Sequence, residues 1–280
     1  MAIAEVNGTK IYYEINGDGP PLLLIPGLGT GGGYFSLTEP ILRKSCQTIL
    51  VDPRGIGRSD RSDANFIAET WADDFAALLD HLGLKSAHVL GSSHGGCMAM
   101  AMALRHPTKF RSLLLVGAFA DLDKALALNF GLRIKMVQKL GLGEEIADHV
   151  ALWTMRREFL DSPAGERALG VLVNAVKANS PERYAQLCRS ILQWGRKLPG
   201  QEKETLWLDR LGDIKLPTIV ITGDSDHMIP ASFSKRIADR IPAARFVEIP
   251  DCGHIPFLER PDKVSEIIAG FVKEQAARSA

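Results

Sequence analysis

Short apolar runs alternate with segments of helical periodicity through the first 120 residues of the chain. Four of these runs have the length and composition of buried strands. They occupy residues 22–25, 48–51, 87–90 and 113–116. Because strands that alternate with helices form a parallel sheet covered on both faces, the pattern predicts an α/β fold.

Two of the intervening helices can be placed from their own residues. Thr70 and Asp73 have the spacing of a capping box, and Gly83 stands where a helix C-terminus favours glycine. The apolar face of this helix consists of Trp71, Phe75, Leu78, Leu79 and Leu82. The next helix, at 96–104, is apolar on every side, so we predict that it is buried and that it ends before Pro107.

The alternation stops between residues 121 and 210. Leu, Ala, Lys and Arg recur there at helical spacing, and Pro163, Pro181 and Pro199 separate several predicted helices. The α/β pattern then resumes with a strand at 218–222, a helix at 231–241, a strand at 245–249 and a last helix after Pro261. We therefore predict one α/β core, formed by residues 1–120 and 211–280, with a helical insertion at 121–210.

The charge balance limits the kinds of partner. The 280 residues include 33 Lys and Arg and 33 Asp and Glu, so the basic surplus typical of a nucleic-acid binder is absent. No apolar run is long enough to cross a bilayer. We expect no nucleic-acid and no membrane partner, and the neutral net charge leaves a homodimer open.

The cysteines and the N-terminus bear on location. Cys46, Cys97, Cys188 and Cys252 are far apart, which favours free thiols in a reducing compartment over disulfides or a zinc site. The first eight residues lack both the basic and the apolar region of a secretory signal. The sequence therefore predicts a cytoplasmic protein.

The segment Gly91-Ser92-Ser93-His94-Gly95 stands between a predicted strand and the buried helix, and it matches G-x-S-x-G. A tight strand-to-helix turn needs small residues on both sides because its backbone is strained, and it lifts the central serine oxygen away from the sheet. The helix N-terminus also favours negative charge that develops beside the serine. Ser93 is therefore the candidate nucleophile, and the alternative is a glycine-rich turn around an ordinary serine.

A serine nucleophile requires a base, and the base requires an acid that orients it. The segments that follow the last two predicted strands contain Asp224 and Asp226 in one case and His254 in the other. Since catalytic groups in open α/β sheets gather at the carboxyl ends of the strands, these residues are expected near Ser93. Their chain order is Ser, Asp, His.

Four motifs resemble those of the α/β-hydrolase superfamily, and the resemblance extends from about residue 7 to residue 271. They are G-x-S-x-G at 91–95, D-x-R-G-x-G-x-S at 52–59, G-x-x-D-x-x-x-P at 223–230 and G-H-x-x-x-x-E-x-P at 253–261. The third motif selects Asp226 over Asp224 as the acid. The resemblance implies the α/β-hydrolase fold, in which helices flank a mostly parallel central sheet and a helical cap, here 121–210, is inserted. It favours small-molecule members such as cap-bearing esterases and enol-lactone hydrolases.

The resemblance also implies a role for each site residue. Ser93 would be the nucleophile, His254 the general base and Asp226 its partner, and the backbone N–H groups of His94 and Leu28 would form the oxyanion hole. Family members often carry histidine before the glycine of the oxyanion loop, where this chain has Pro26. We therefore expect different bracing of this loop. We expect no cofactor and no metal, since no metal-ligand spacing or nucleotide-binding glycine pattern is present.

Two assignments have alternatives, one near the candidate acid and one in the G-x-S-x-G turn around Ser93, here called the elbow. Asp224 replaces Asp226 as the acid if the loop register differs by two residues. The imidazole of His94 either lines the pocket or has no role beyond packing. His227 follows the acid directly, and a surface-loop histidine is the simpler interpretation.

Other residues near these motifs are expected to be structural. Asp52 and Glu259 match family motifs, and we expect their carboxylates to hold loops in place through nearby backbone groups. Cys252 is interpreted as a buried, inert thiol. The glycines at 31–33 are either an adjustable part of the oxyanion loop or a flexible turn.

The insertion is expected to cover the site as a cap. Its basic and acidic residues are nearly equal in number, so its composition does not require a charged substrate. Its aromatic and thioether residues either line an apolar pocket or pack the cap onto the core. These residues are Phe130, Met136, Trp153, Met155, Phe159 and Trp194.

These observations predict a cofactor-free serine hydrolase that cleaves a carboxylic ester or lactone of a small, mainly apolar molecule through an acyl-enzyme. One alternative is hydrolysis of a carbon–carbon bond in a ring-cleavage product, although relatives of that type commonly carry Trp after the histidine, where this chain has Ile255. A second alternative is a ligand-binding member of the fold with an idle triad. Haloalkane dehalogenases and epoxide hydrolases use Asp at the position of Ser93, which disfavours both.

Overall fold

A single eight-stranded sheet forms the centre of the molecule. The computed structural model describes residues 2–61, 66–194, 207–242 and 244–279. Within these residues the strands are β1 (Ala2–Val6), β2 (Thr9–Asn16), β3 (Pro21–Ile25), β4 (Gln47–Asp52), β5 (Ala87–Ser92), β6 (Phe110–Val116), β7 (Thr218–Gly223) and β8 (Ala244–Ile249). The helices are α1 (Glu39–Leu42), α2 (Ala68–His81), α3 (His94–Arg105), α4 (Lys124–Leu140), α5 (Glu144–Thr154), α6 (Arg157–Leu160), α7 (Pro163–Lys177), α8 (Pro181–Gln193), α9 (Trp207–Arg210), α10 (Ala231–Arg240), α11 (Pro256–Glu259) and α12 (Pro261–Ser279).

The strand order in the sheet is β1-β2-β4-β3-β5-β6-β7-β8. Neighbouring strands pair in parallel all along the part of the sheet that runs β4-β3-β5-β6-β7-β8. β2 pairs antiparallel with both β1 and β4. The carboxyl ends of β3, β5, β6, β7 and β8 therefore meet at one edge. This is the mostly parallel, helix-flanked α/β sheet that the sequence predicts.

Alternate residues of the central strands face two apolar cores. Leu23 and Val89 belong to the core that contains residues of α2 and α3. Leu24 and Leu90 belong to the opposite core, which α1 and α12 cover. Because both faces of these strands are buried, their sequences are continuously apolar rather than alternating.

The sequence analysis missed β1 and β2. β1 is the edge strand and β2 lies next to it. Only part of each is buried: Ala4 and Val6 in β1, and Thr9, Ile11 and Tyr12 in β2. A strand with one solvated face alternates between polar and apolar residues, so it lacks the continuous apolar run that marks the central strands.

The start of α2 differs from the prediction. The helix begins at Ala68, so Thr70 lies within its first turn and does not cap it. The carboxylate of Asp73 binds Arg105 and His106 instead, at 2.8 and 2.6 Å. The capping-box prediction is therefore wrong. The helix end is as predicted, since Gly83 follows it with φ +68°.

Helices α4 to α8 fill most of the segment between β6 and β7. Two of the predicted proline boundaries are helix starts: Pro163 begins α7 and Pro181 begins α8, each after a serine whose hydroxyl accepts a backbone N–H. Pro199 lies outside the described residues. Among the described residues, no helix combines the length and apolarity needed to span a membrane.

Candidate active site

Ser93 occupies a strained turn between β5 and α3. Its φ and ψ are 52° and −119°, a region that residues with a side chain rarely adopt. The Ser93 N–H donates to the carbonyl of Val116 at 2.8 Å, which ties the turn to the end of β6. Strain of this kind persists only where the surrounding structure enforces it, and it is concentrated at functional sites.

The two glycines of the G-x-S-x-G motif enforce the turn. A methyl group at Gly91 would lie 2.3 Å from the carbonyl oxygen of Gly95, and one at Gly95 would lie 2.4 Å from that of Pro26. Both distances are far below van der Waals contact. Strand, helix and the neighbouring loop can therefore approach this closely only because both positions lack a side chain.

His254 and Asp226 lie beside Ser93. His254 follows β8 and Asp226 follows β7, so both approach from the carboxyl edge of the sheet. The Nε2 atom of His254 is 2.9 Å from the Ser93 Oγ, and its Nδ1 atom is 2.7 Å from Oδ2 of Asp226. His254 is 4% exposed and Asp226 5% exposed, which shields the second bond from water. The structure thus brings together the three residues that the sequence singles out.

The hydrogen bonds around Asp226 determine where the proton of His254 lies. Oδ1 of Asp226 accepts the N–H groups of Met228 and Ile229, at 2.9 and 2.7 Å. An ionised carboxylate only accepts hydrogen bonds, so Nδ1 of His254 must carry the proton. The lone pair on Nε2 is then directed at the hydroxyl of Ser93, as a general base requires.

The loop after β3 runs against the elbow. A carbon atom on Gly27 would be 3.7 Å from Cβ of Ser93, and the next residue, Leu28, lines the same cavity as Ser93. His94 is the first residue of α3, so its N–H has no acceptor within the helix. The two backbone N–H groups proposed from the sequence for an oxyanion hole thus belong to segments on either side of Ser93.

Bracing of the Pro26–Leu28 loop comes from residues that the sequence analysis did not name. The hydroxyl of Thr30 donates to the carbonyl of Gly27 at 2.9 Å and closes the turn. The side-chain amide of Asn179, just after α7, donates to the carbonyl of Gly29 at 2.9 Å. The loop is therefore held partly from within and partly by the helical insertion.

The imidazole of His94 packs inside the protein and does not line the cavity. It meets the edge of the Trp71 ring, with 5.2 Å between ring centroids, and its Nε2 lies 3.2 Å from the Ser190 hydroxyl. Burial lowers the pKa of His94 to about 3, so the ring is neutral. The contribution of His94 to the site is confined to its backbone.

The remaining sequence candidates hold loops or pack. The carboxylate of Asp224 accepts the N–H groups of Asp251 and Cys252 and does not reach His254, whereas Asp226 does. His227 is exposed. Burial raises the pKa of the Cys252 thiol, which agrees with an inert cysteine.

Asp52 fixes the glycine-rich segment at 31–33. Its carboxylate accepts the N–H groups of Gly32 and Arg58, at 2.8 and 2.9 Å. A methyl group at Gly31 would lie 2.3 Å from Oδ1 of Asp52, so this glycine is required for close packing. Gly31 and Gly32 therefore pack directly on Asp52, whereas a Cβ at Gly33 would meet nothing within 4 Å.

Glu259 is buried beneath the loop that carries His254. The residue is 5% exposed, and its Oε2 lies 3.7 Å from Nε of Arg156 in the insertion. Burial raises the pKa of Glu259 from 4.5 to about 7, against the opposing effect of the nearby Gly253 and Arg156 N–H groups. The backbone N–H of His254 donates to the carbonyl of Thr154, at the end of α5. The insertion thus holds the loop of the histidine through the Thr154 carbonyl.

A cavity lined by residues of both the core and the insertion opens above Ser93. Its core side includes Gly27, Leu28, Tyr34, Ser93, Met228, His254 and Ile255, and its other side includes Phe130, Arg133, Val150, Thr154, Leu172, Val176 and Tyr184. Of the six aromatic and thioether residues noted in the insertion, Phe130 lines this cavity, and the others are in contact with apolar cores.

Two lining residues were missed by sequence reasoning. Tyr34 is half-buried, and its hydroxyl lies 3.0 Å from that of Ser92, directly before Ser93. Arg133 is 3% exposed although it carries a charge. Neither residue belongs to a motif, and the helical spacing around Arg133 does not distinguish a buried arginine from a solvated one, so no sequence signal marked them.

Comparison with known proteins agrees with this geometry. The family model for the alpha/beta hydrolase fold matches residues 20–261. The chain belongs to the α/β-hydrolase family. It is 30% identical to a protein of Azorhizobium caulinodans assigned as the carbamate hydrolase RutD, over 98% of this chain and 99% of the relative. It is also 30% identical to 2-hydroxymuconate semialdehyde hydrolase of Pseudomonas sp. strain CF600, over 96% of this chain and 93% of the relative.

A solved structure of the same family superposes closely. The enol-lactonase of Burkholderia xenovorans LB400 has a TM-score of 0.84 and 25% identity, covering 97% of this chain and all of that chain. Membership of the α/β-hydrolase family, together with these relatives, supports a hydrolase.

Gly91→Ala should lower the free energy of unfolding by about 2 kcal/mol or more, because the added methyl group overlaps the Gly95 carbonyl at the family's elbow. Gly270→Ala is the matched control. Gly270 is exposed within α12 with nothing near its Cα, so alanine there should stabilise the protein by about 0.5–1 kcal/mol. Urea denaturation of both variants measures the difference, and equal effects would contradict the packing argument.

Glu259→Gln should change how stability depends on pH. Because the folded pKa of Glu259 is raised from 4.5 to about 7, the folded state binds more proton than the unfolded state between these values. The free energy of unfolding of the wild type therefore contains a term that decreases as pH rises through this range. The glutamine variant lacks that term, so its melting temperature relative to wild type should be higher at pH 8 than at pH 5.

Glu266→Gln is the control for this measurement. Glu266 is exposed on α12 beside Lys263, at 3.0 Å, so its removal should shift melting temperatures equally at both pH values. A pH-independent difference for Glu259→Gln would show that Glu259 is ionised throughout.

Proposed function

We propose that the chain is a cofactor-free serine hydrolase of small carboxylic esters or lactones. The observation that carries the proposal is the continuous series of hydrogen bonds from Ser93 through His254 to Asp226, at 2.9 and 2.7 Å, at the floor of a cavity. An alcohol nucleophile with its base and an orienting carboxylate is the arrangement that acyl transfer requires.

The geometry supports a two-step reaction. Nε2 of His254 takes the proton of Ser93 while Oγ attacks the carbonyl carbon, and the protonated ring then gives that proton to the leaving alkoxide. Water, deprotonated by the same nitrogen, then attacks the acyl-enzyme, and the ring gives that proton to Oγ of Ser93 as the bond to the acyl carbon breaks and the acid is released. Asp226 keeps Nδ1 protonated and stabilises the imidazolium that forms at each step.

The oxyanion of the tetrahedral intermediate is assigned to the N–H groups of Leu28 and His94. Both groups are on segments that border Ser93, and the N-terminus of α3 adds a favourable dipole. A single donor aimed at a developing oxyanion lowers the barrier by about 3 kcal/mol in enzymes of this kind.

Residues 121–210 are proposed to act as the cap of this site, between the two parts of the core at 1–120 and 211–280. Helices α4, α5, α7 and α8 all contribute side chains to the cavity over Ser93. Met155 and Phe159 of the insertion pack on Ile255, the residue after the active histidine. Closure by the cap would exclude water from the reacting groups.

The bond that is cleaved is assigned from the resemblance to esterases and enol-lactone hydrolases. A likeness to the enol-lactonase over the whole chain supports it. Relatives named as carbamate and 2-hydroxymuconate semialdehyde hydrolases show that other bonds are cleaved on this scaffold. Ile255 lines the cavity where carbon–carbon bond hydrolases of the superfamily commonly carry Trp, which favours the ester or lactone.

The setting of the reaction also follows from the residues. All four cysteines are buried and unpaired, which supports a reducing compartment, and we propose the cytoplasm. Self-association stays a prediction.

Treatment with a fluorophosphonate should add one phosphonyl group to the wild type, measured by intact mass, because only an activated serine attacks this reagent. Ser93→Ala should prevent the addition and lower kcat/KM for ester or lactone substrates by about 10³-fold or more. Ser92→Ala, one residue earlier, is the matched control and should keep the adduct.

The same variants separate an enzyme from a ligand-binding member of the fold. A folded wild type that gains no adduct and hydrolyses no ester, lactone or carbamate would contradict the proposal. Asp226→Asn should lower kcat by about 10³–10⁴-fold while leaving the fold intact, since the histidine then loses its orienting acceptor. Unchanged activity of Asp226→Asn would remove Asp226 from the mechanism.

A further inference from the structure

Arg133 places a buried positive charge in the wall of the cavity. The residue lies in α4, is 3% exposed, and lines the same cavity as Ser93 and His254. Among the described residues that line this cavity, it is the only one whose side chain carries a fixed charge. The nearly equal numbers of basic and acidic residues in the insertion give no sign of this buried charge.

The partners of Arg133 do not neutralise it. One terminal nitrogen lies 3.5 Å from the sulfur of Met228, the Tyr184 hydroxyl is a second polar neighbour, and the guanidinium is 5.1 Å from the ring centroid of Phe130. In the described part of the chain, no carboxylate oxygen is within 4.0 Å of Arg133, and its Nε has no hydrogen-bond acceptor.

A second polar side chain nearby is also unpaired. Asn129 precedes Arg133 by one helical turn and is 3% exposed. Neither its amide oxygen nor its amide nitrogen has a hydrogen-bond partner within the described ranges. Buried polar atoms are almost always satisfied. Of these two residues only Arg133 lines the cavity, so its unpaired donor is the one that a ligand in the cavity can satisfy.

The chemistry of arginine determines which ligand. A guanidinium stays protonated at any pH a folded protein tolerates, and burying it without an anion is energetically unfavourable. Its planar donors match the two oxygens of a carboxylate. We infer that the substrate of this site is an anion: an ester or lactone whose acyl or alcohol portion ends in a carboxylate that binds Arg133.

This inference rests on the proposed function for the site and refines the expected substrate. The scissile carbonyl lies at Ser93, so the carboxylate at Arg133 is a second group, separate from the acid that hydrolysis releases. The predicted mainly apolar substrate keeps its apolar centre against Leu172, Val176 and Phe130, but one end is charged. A half-ester of a dicarboxylic acid, or a lactone bearing an acid chain, has this chemistry.

Binding to a hydrolysis-defective protein tests the inference independently of catalysis. Calorimetric titration of Ser93→Ala should show that at least one of the monomethyl esters of succinate, glutarate, adipate and pimelate binds about 10–100-fold more tightly than its dimethyl ester. Adding Arg133→Gln should abolish this preference. Lys135→Gln removes an exposed charge from the same helix and should leave the preference intact.

Loss of folding is separable from loss of binding. Since no described carboxylate depends on Arg133, Arg133→Gln should not lower the melting temperature. Arg133→Lys keeps the charge without the planar fork, and it should retain part of the preference. Equal affinity for acid and neutral esters at every chain length, or a preference that survives Arg133→Gln, overturns the inference.

Kinetics distinguish failure of the inference from failure of the proposed function. Wild-type kcat/KM for mono-4-nitrophenyl adipate should exceed that for methyl 4-nitrophenyl adipate, and Arg133→Gln should reduce this ratio about tenfold or more. Hydrolysis of both esters at equal rates would leave the hydrolase and overturn the charge assignment. A carboxylate preference in binding without hydrolysis of either ester would support the anion site and overturn the hydrolase.

Discussion

The left-handed backbone of Ser93 is the constraint on which the rest of the site depends. A serine is held at φ 52° because Gly91 and Gly95 let β5, α3 and the loop after β3 approach within distances that no side chain permits. The hydrogen bond from Ser93 to Val116 fixes the same turn from β6. The strained conformation places the hydroxyl above the sheet edge, where the loops after β7 and β8 also end.

Around this fixed point, the histidine and its acid are positioned by backbone groups rather than by chance contact of side chains. Asp226 is held by two N–H groups of its own loop, and the N–H of His254 is held by the last residue of α5. Glu259 fills the space beneath the same loop as a carboxyl group whose pKa burial raises to about 7. The insertion therefore holds the loop of His254 as well as lining the cavity above it.

Charge is distributed unevenly in spite of a neutral total. Many ion pairs in the described part of the chain are exposed and contribute little to stability, such as Lys235 with Asp239. Arg133 is the exception within the cavity, because burial makes an unmatched charge costly and a bound anion correspondingly favourable. The net charge sums over all residues of the chain, so it does not reveal a single buried charge such as that of Arg133.

The sequence by itself determined the central strands, the elbow, the chain order of Ser93, Asp226 and His254, and the place of the insertion. These features depend on local patterns: continuous apolar runs, obligatory glycines and motif spacing. The tertiary structure alone decided that the His94 ring packs against Trp71 and Ser190, and that Arg133 is buried in the wall of the cavity. Those outcomes depend on which surfaces meet when distant segments pack, and helical or strand periodicity does not encode that information.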